Sequence, residues 1–68
     1  MYIVIEMQTN GETTTTLTYA YVDKNTAYQK YHTILASASV SSVEIHTAII
    51  LNEYGYIEAR ESFEHKEE

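Results

Sequence analysis

"KYHTILASASVSSVEIHTAII", Lys30 to Ile50, changes character partway along, and that change decides the fold. Up to about Ala38 its apolar residues recur three and four apart, the spacing of one helical face; from Val43 they crowd into a β-branched run that suits a strand. Between the two lie small hydroxyl residues, Ser37 to Ser42, which suit capping and turning the chain.

Read backwards, the helical pattern starts near "DKNTAYQKYHTILASAS", Asp23 to Ser39. Asp23 or Asn25 can cap it by accepting from the free N–H groups of the first turn. Ala27, Tyr31, Ile34, Leu35 and Ala38 share one face, and Gln29, Lys30, Thr33 and Ser37 fall on the wet side. A third strip, Tyr28, His32, Leu35, Ala36 and Ser39, is too apolar for a plain solvent face and too small for deep core. Such a strip suits close packing against a second helix supplied by a two-fold partner.

Ahead of the helix, "YIVIEMQ" (Tyr2 to Gln8) and "ETTTTLTYAYV" (Glu12 to Val22) flank Asn10-Gly11, a strong hairpin signal. Alternation puts Ile3, Ile5 and Met7 on one side, expected to face the core, and Tyr2, Val4, Glu6 and Gln8 on the other. Leu17, Tyr19 and Tyr21 oppose Thr14, Thr16 and Thr18 in the same way. After the helix, "SVEIHTAIILN" (Ser42 to Asn52) and "YIEARESFE" (Tyr56 to Glu64) flank Glu53-Tyr54-Gly55 as a second hairpin.

The expected fold is α+β with element order β-β-α-β-β. It is one antiparallel four-stranded sheet with a helix on one face, a single domain over 1–64 followed by a charged, frayed tail at 65–68. Strand order is open at this level. One helix covers only one face of such a sheet. Ala48 and Ile50, with Val4 and Tyr56, are therefore expected on an outer face covered by another copy. Sixty-eight residues without cysteine lack a covalent staple, and chains this small often gain stability by oligomerising. The sequence thus predicts a homo-oligomer whose interface includes Tyr28, Ala36, Ser39, Ala48 and Ile50.

Ten acidic residues against four basic ones, a net charge of −6, disfavour duplex nucleic acid and anionic membranes as partners. The absence of cysteine removes thiolate metal sites. "MYIVIEMQTNGE" carries neither a basic n-region nor a long apolar run, which predicts no signal peptide and no membrane span, and a cytoplasmic location.

No motif for catalysis stands out. His32, His46 and Glu44 lack metal-ligand spacing, the serines sit in no nucleophile turn, and two glycines make no phosphate loop. We therefore expect no enzyme, no cofactor and no metal. Binding reads better. Ser41, Ser42 and His46 after the helix, Lys30 and His32 on it, and Arg60 on the last strand combine hydroxyls, imidazole and cations. With seven tyrosines, that set suits a small phosphorylated, base-containing ligand. Each of these residues also has a plain structural use, as cap, turn or packing residue.

The pattern Tyr2-x-Val4-x-Glu6-x-Gln8-Thr9, Ala27, Lys30-Tyr31-His32, Leu35-Ala36, Ala38, Val40-Ser41-Ser42-Val43, His46 and Gly55 resembles a group of small uncharacterised proteins encoded in phages and prophages of gut Firmicutes. The chain departs from that pattern at Glu44, where proline is expected. The resemblance implies phage origin and carries no established activity; from that origin we expect an accessory protein in the bacterial host cytoplasm, acting against host defence. It would hold a nucleotide-type immune signal in an oligomeric pocket that gathers Lys30, His32 and Arg60 from several copies. The alternative is a protein-binding inhibitor or scaffold without a small ligand.

Overall fold

The computed structural model describes residues 1–65. Its elements run β1 (Tyr2–Asn10), β2 (Thr13–Tyr21), α1 (Lys24–Ala38), β3 (Ile45–Asn52) and β4 (Ile57–Glu64). The four strands form one antiparallel sheet in the order β2-β1-β3-β4. Each hairpin therefore contributes its first strand to the centre and its second to an edge. α1 carries the chain from the β2 edge back to β3, whose pairing with β1 joins the hairpins. The β-β-α-β-β architecture expected from the sequence is the one observed.

Local chemistry accounts for the punctuation. The first hairpin closes through Gly11 and Glu12, with Asn10 paired to Thr13 and Gly11 at φ 61°. Glycine thus takes the first central position of the turn, as in type II′ loops. In the second connection Gly55 has φ 86°, and Asn52 organises the turn by accepting from the Tyr54 and Tyr56 N–H groups through Oδ1 at 2.8 and 3.1 Å. Of the two capping candidates it is Asp23 that serves, Oδ2 accepting from the Thr26 N–H and hydroxyl, each at 2.9 Å. Those hydrogen bonds, the backbone one foremost, hold its carboxyl below the usual aspartate range.

The core lies between α1 and one sheet face, and it is the face opposite to that expected. Val4, Ala48 and Ile50 are fully buried against Ala27, Tyr31 and Ile34, with Tyr2, Tyr19, Tyr21, Leu35 and Ala59 packed around them. Ala48 and Ile50 are therefore core residues, not interface residues. Tyr56, expected with them, lies exposed in the turn before β4. Ile3, Ile5 and Met7 point to the uncovered side and are only partly buried.

The cause is register. Val4 is aligned with Tyr19 on β2 and Ile50 on β3, and Ile50 with Ala59 on β4, so all four strands add apolar or aromatic residues to that face. The small Ala48 and Ala59 on that face pack in the same cluster as Ala27 of the helix. The helical face itself is as expected: Ala27, Tyr31, Ile34 and Ala38 are buried and Leu35 partly so.

The two flanks of α1 are tied to opposite edge strands. Lys30 Nζ lies 4.2 Å from the centre of the Tyr19 ring on β2, and the Tyr28 hydroxyl donates to Glu58 Oε1 on β4 at 3.2 Å. His65, assigned to the frayed tail by the sequence reading, is bonded at the helix end. Its N–H donates to the Glu44 carbonyl at 2.6 Å and its Nε2 to the Ala38 carbonyl at 2.7 Å. The rest of that tail, 66–68, lies outside the described residues.

Candidate functional site

The six ligand residues expected from the sequence occupy three separate places. Lys30 is on the β2 flank of α1, over Tyr19. His32 is exposed on the flank facing β4, with its ring 6.2 Å from Tyr28 and 5.4 Å from Tyr31. Two residues apart on a helix is about 200° of rotation, so these two cannot meet within one chain. Ser41 Oγ accepts from the Val43 N–H at 2.9 Å, forming a turn, while Ser42 is exposed beside it. Arg60 pairs with Ile49 and so lies on the uncovered face of the sheet.

His46 is buried on the other face, beneath the helix layer. Its Nε2 is 2.7 Å from Glu6 Oε2, which also accepts from Gln8 Nε2 at 3.0 Å. Because the carboxylate only accepts, Nε2 carries the proton. His46 Nδ1 is buried without a protein partner. This Glu6–His46 pair was not foreseen; its only sequence signal is two polar residues, each at a core-facing position of a central strand. Among the described residues no group of three His, Asp or Glu side chains is placed to hold a metal ion.

Of the expected interface residues, Tyr28 is half-buried against the core, with its hydroxyl donating to Glu58. Ala36 and Ser39 are exposed. Ser39 closes the helix, its Oγ donating to the Ala36 carbonyl at 2.9 Å.

Glu44 has a local role. Its Oε1 accepts from the Gly11 N–H at 2.9 Å and its own N–H donates to Asn10 Oδ1 at 3.1 Å. The two bonds tie the β1–β2 turn to the approach to β3. A proline at 44 would lack the N–H that makes the second.

The sheet face away from α1 is a second organised surface. Its residues form four rows across the sheet in β2-β1-β3-β4 order: Ala20-Ile3-Leu51-Ile57, Thr18-Ile5-Ile49-Arg60, Thr16-Met7-Thr47-Ser62 and Thr14-Thr9-Ile45-Glu64. The central strands present mainly apolar residues there, with Thr9 and Thr47 as exceptions, and the outer strands mostly hydroxyl-bearing or charged ones, an apolar centre within a polar rim. Thr47 and Ser62 are joined through their hydroxyls at 2.6 Å.

The chain is thus a two-layer α+β protein with one unpartnered sheet face. Comparison with protein-family models, with curated proteins and with solved structures finds no match. No helix among the described residues is long and apolar enough to cross a membrane.

Proposed function

We propose that this chain is a stoichiometric binding protein rather than an enzyme, assembled as a dimer through its uncovered sheet face. The observation that carries the reading is the apolar stripe of Ile3, Ile5, Met7, Ile49 and Leu51 on that face, in register across the two central strands. Four strands of about eight residues give a footprint of roughly 500 Å² per copy, so a pair reaches about 1,000 Å², the lower bound for a stable interface.

The rows are also self-complementary. With a two-fold axis parallel to the strands, running between β1 and β3, each row meets its own copy reversed. Ile3 then faces Leu51, Ile5 faces Ile49, and Arg60 and Glu64 meet Thr18 and Thr14. No like charges are opposed. The resemblance to phage accessory proteins extends the proposal: the dimer acts in the host cytoplasm by holding a component of host defence.

Sedimentation velocity tests this directly. The wild type sediments as a dimer at micromolar concentration, and Ile5→Glu as a folded monomer with unchanged far-ultraviolet dichroism. A wild-type monomer at high micromolar concentration overturns the reading.

A second form, capture of a nucleotide-type signal between copies, draws on Arg60. Among the described residues it is the one Lys or Arg on the uncovered face, and dimerisation sets it against threonine hydroxyls of the second copy. Native mass spectrometry against a panel of cyclic oligonucleotides decides it: an added discrete mass that Arg60→Gln removes supports capture, and no added mass across the panel ends it.

A further inference from the structure

The two edges of the sheet are built differently. β4 carries Glu58, Arg60, Glu61 and Glu64, and its pairing shifts register at Ile50/Leu51. Charges and bulges of this kind discourage further strand pairing. β2 carries no such residue of its own, and the cation beside it is Lys30 of α1, over Tyr19. Over nine residues, Thr13–Tyr21, the strand has no charge and no proline, and its pairing with β1 runs without a break. Alternate residues of an edge strand turn their N–H and C=O groups outward, as a ready template. Leu17 stands 43% exposed at its middle, on the helix side but uncovered by α1.

We infer that the β2 edge docks an extended segment of a partner protein, which joins the sheet as a fifth strand. This rests on the reading of the chain as a binding protein and names the class of its partner. The face-to-face dimer leaves the edge open, because β2 of one copy then stacks over β4 of the other.

Side chains define the partner. The incoming strand meets Leu17 and Tyr19 on the helix side and Thr14, Thr16 and Thr18 on the other, which suits a β-branched, uncharged centre. Glu12 stands exposed at one end of β2 and Asp23, followed by Lys24, at the other, while Lys30 lies over Tyr19 between them; basic residues therefore suit the ends of the docked segment and not its centre.

The same acids argue against pairing with a second β2. An antiparallel pair centred on Leu17 sets Glu12 against Val22 and Gly11 against Asp23, which gathers acids of both copies at each end and repels. Leu17→Lys places a cation and a polar tip where the docked strand packs. Thr16→Pro stiffens the edge and removes a backbone donor.

The test uses a fluorescein-labelled synthetic peptide, Lys-Lys-Thr-Val-Thr-Val-Thr-Lys-Lys, and a control with two prolines in place of the valines. Anisotropy titration gives saturable binding to the wild type, weakened about tenfold or more by Leu17→Lys and by Thr16→Pro. Backbone amide shifts gather over 13–21. Absence of binding, equal binding of the proline peptide, or intermolecular contacts between β2 strands in unliganded, mixed-labelled protein each overturns the proposal.

Repeating the titration on Ile5→Glu keeps the two readings apart. A dimer that ignores the peptide removes the edge site alone, and a wild-type monomer that binds it removes the face dimer alone.

Discussion

Glu6 and His46 meet beneath the helix layer, the imidazole Nε2 2.7 Å from the carboxylate, although they are not aligned with each other. The residue aligned with His46 is Gln8, and the one aligned with Glu6 is Ala48. The contact is diagonal, and it exists because Ala48 leaves room for the imidazole to lean across. Gln8 then donates to the same carboxylate oxygen. Burying polar groups in this way is costly wherever they are left without partners.

Removing one partner therefore costs more than removing both. Glu6→Ala leaves both His46 nitrogens buried without partners and lowers stability by about 1–3 kcal/mol. Glu6→Leu combined with His46→Phe removes the polar atoms together and comes out closer to neutral. Urea unfolding of the single and double variants, read as a double-mutant cycle, checks the coupling.

The choice of core face is tested by isoleucine truncation. Ile50 is fully buried, and Ile50→Ala costs about 2–5 kcal/mol. Ile49 is its neighbour on the opposite face and only partly buried. In a monomeric Ile5→Glu background, Ile49→Ala is expected to lower the midpoint of unfolding much less. Equal losses at the two positions would contradict the assignment of faces.

Acid and alkali act at different places. Asp23 is held below its ordinary value of 3.8 by hydrogen bonds from Thr26. A depressed carboxyl adds stability above its unfolded pKa, lost as pH falls through the folded one. The helix start is thus maintained through mild acid and weakens below about pH 4. Asp23→Ala removes that dependence, as helicity followed by dichroism checks.

Tyr31 moves the other way. Burial, followed by the charge of Glu61, raises its phenol above 10.0. Its contribution is complete below the unfolded pKa and disappears as pH rises through the higher folded one. Above pH 10 the helix–sheet core is expected to loosen, with tyrosinate absorbance rising as structure is lost. Tyr31→Phe shifts that transition upward.

Gly11 has φ 61° with open space around it, so an added Cβ meets backbone strain rather than a clash. Gly11→Ala is expected to cost about 1 kcal/mol. Glu44→Ala, which frees the Gly11 N–H, loosens the same turn. Amide hydrogen exchange at Gly11 speeds up in Glu44→Ala, and no change there would refute the tie.

The types of the elements and the buried stripe of the helix were legible in the residues, because both depend on local spacing. Ala27, Tyr31, Ile34 and Ala38 recur at helical intervals, and Gly11 and Gly55 mark backbone turns that need positive φ. The core side of the sheet was not legible from β1, where Ile3, Ile5 and Met7 make a better apolar row than Val4 among Tyr2, Glu6 and Gln8. The helix covers the face on which four strands in register sum to the best apolar surface, and that sum exists only after β1 has paired with both β2 and β3. For the same reason Lys30 and His32, two positions apart, could be grouped on paper, while the helix places them on opposite flanks and the sheet separates His46 from Arg60. The sequence by itself determined which segments are strands and helix, through periodicities that neighbouring residues impose. Strand order, the core face, the Glu6–His46 contact and the exposed β2 edge were decided by tertiary structure, because each depends on residues brought together from distant parts of the chain.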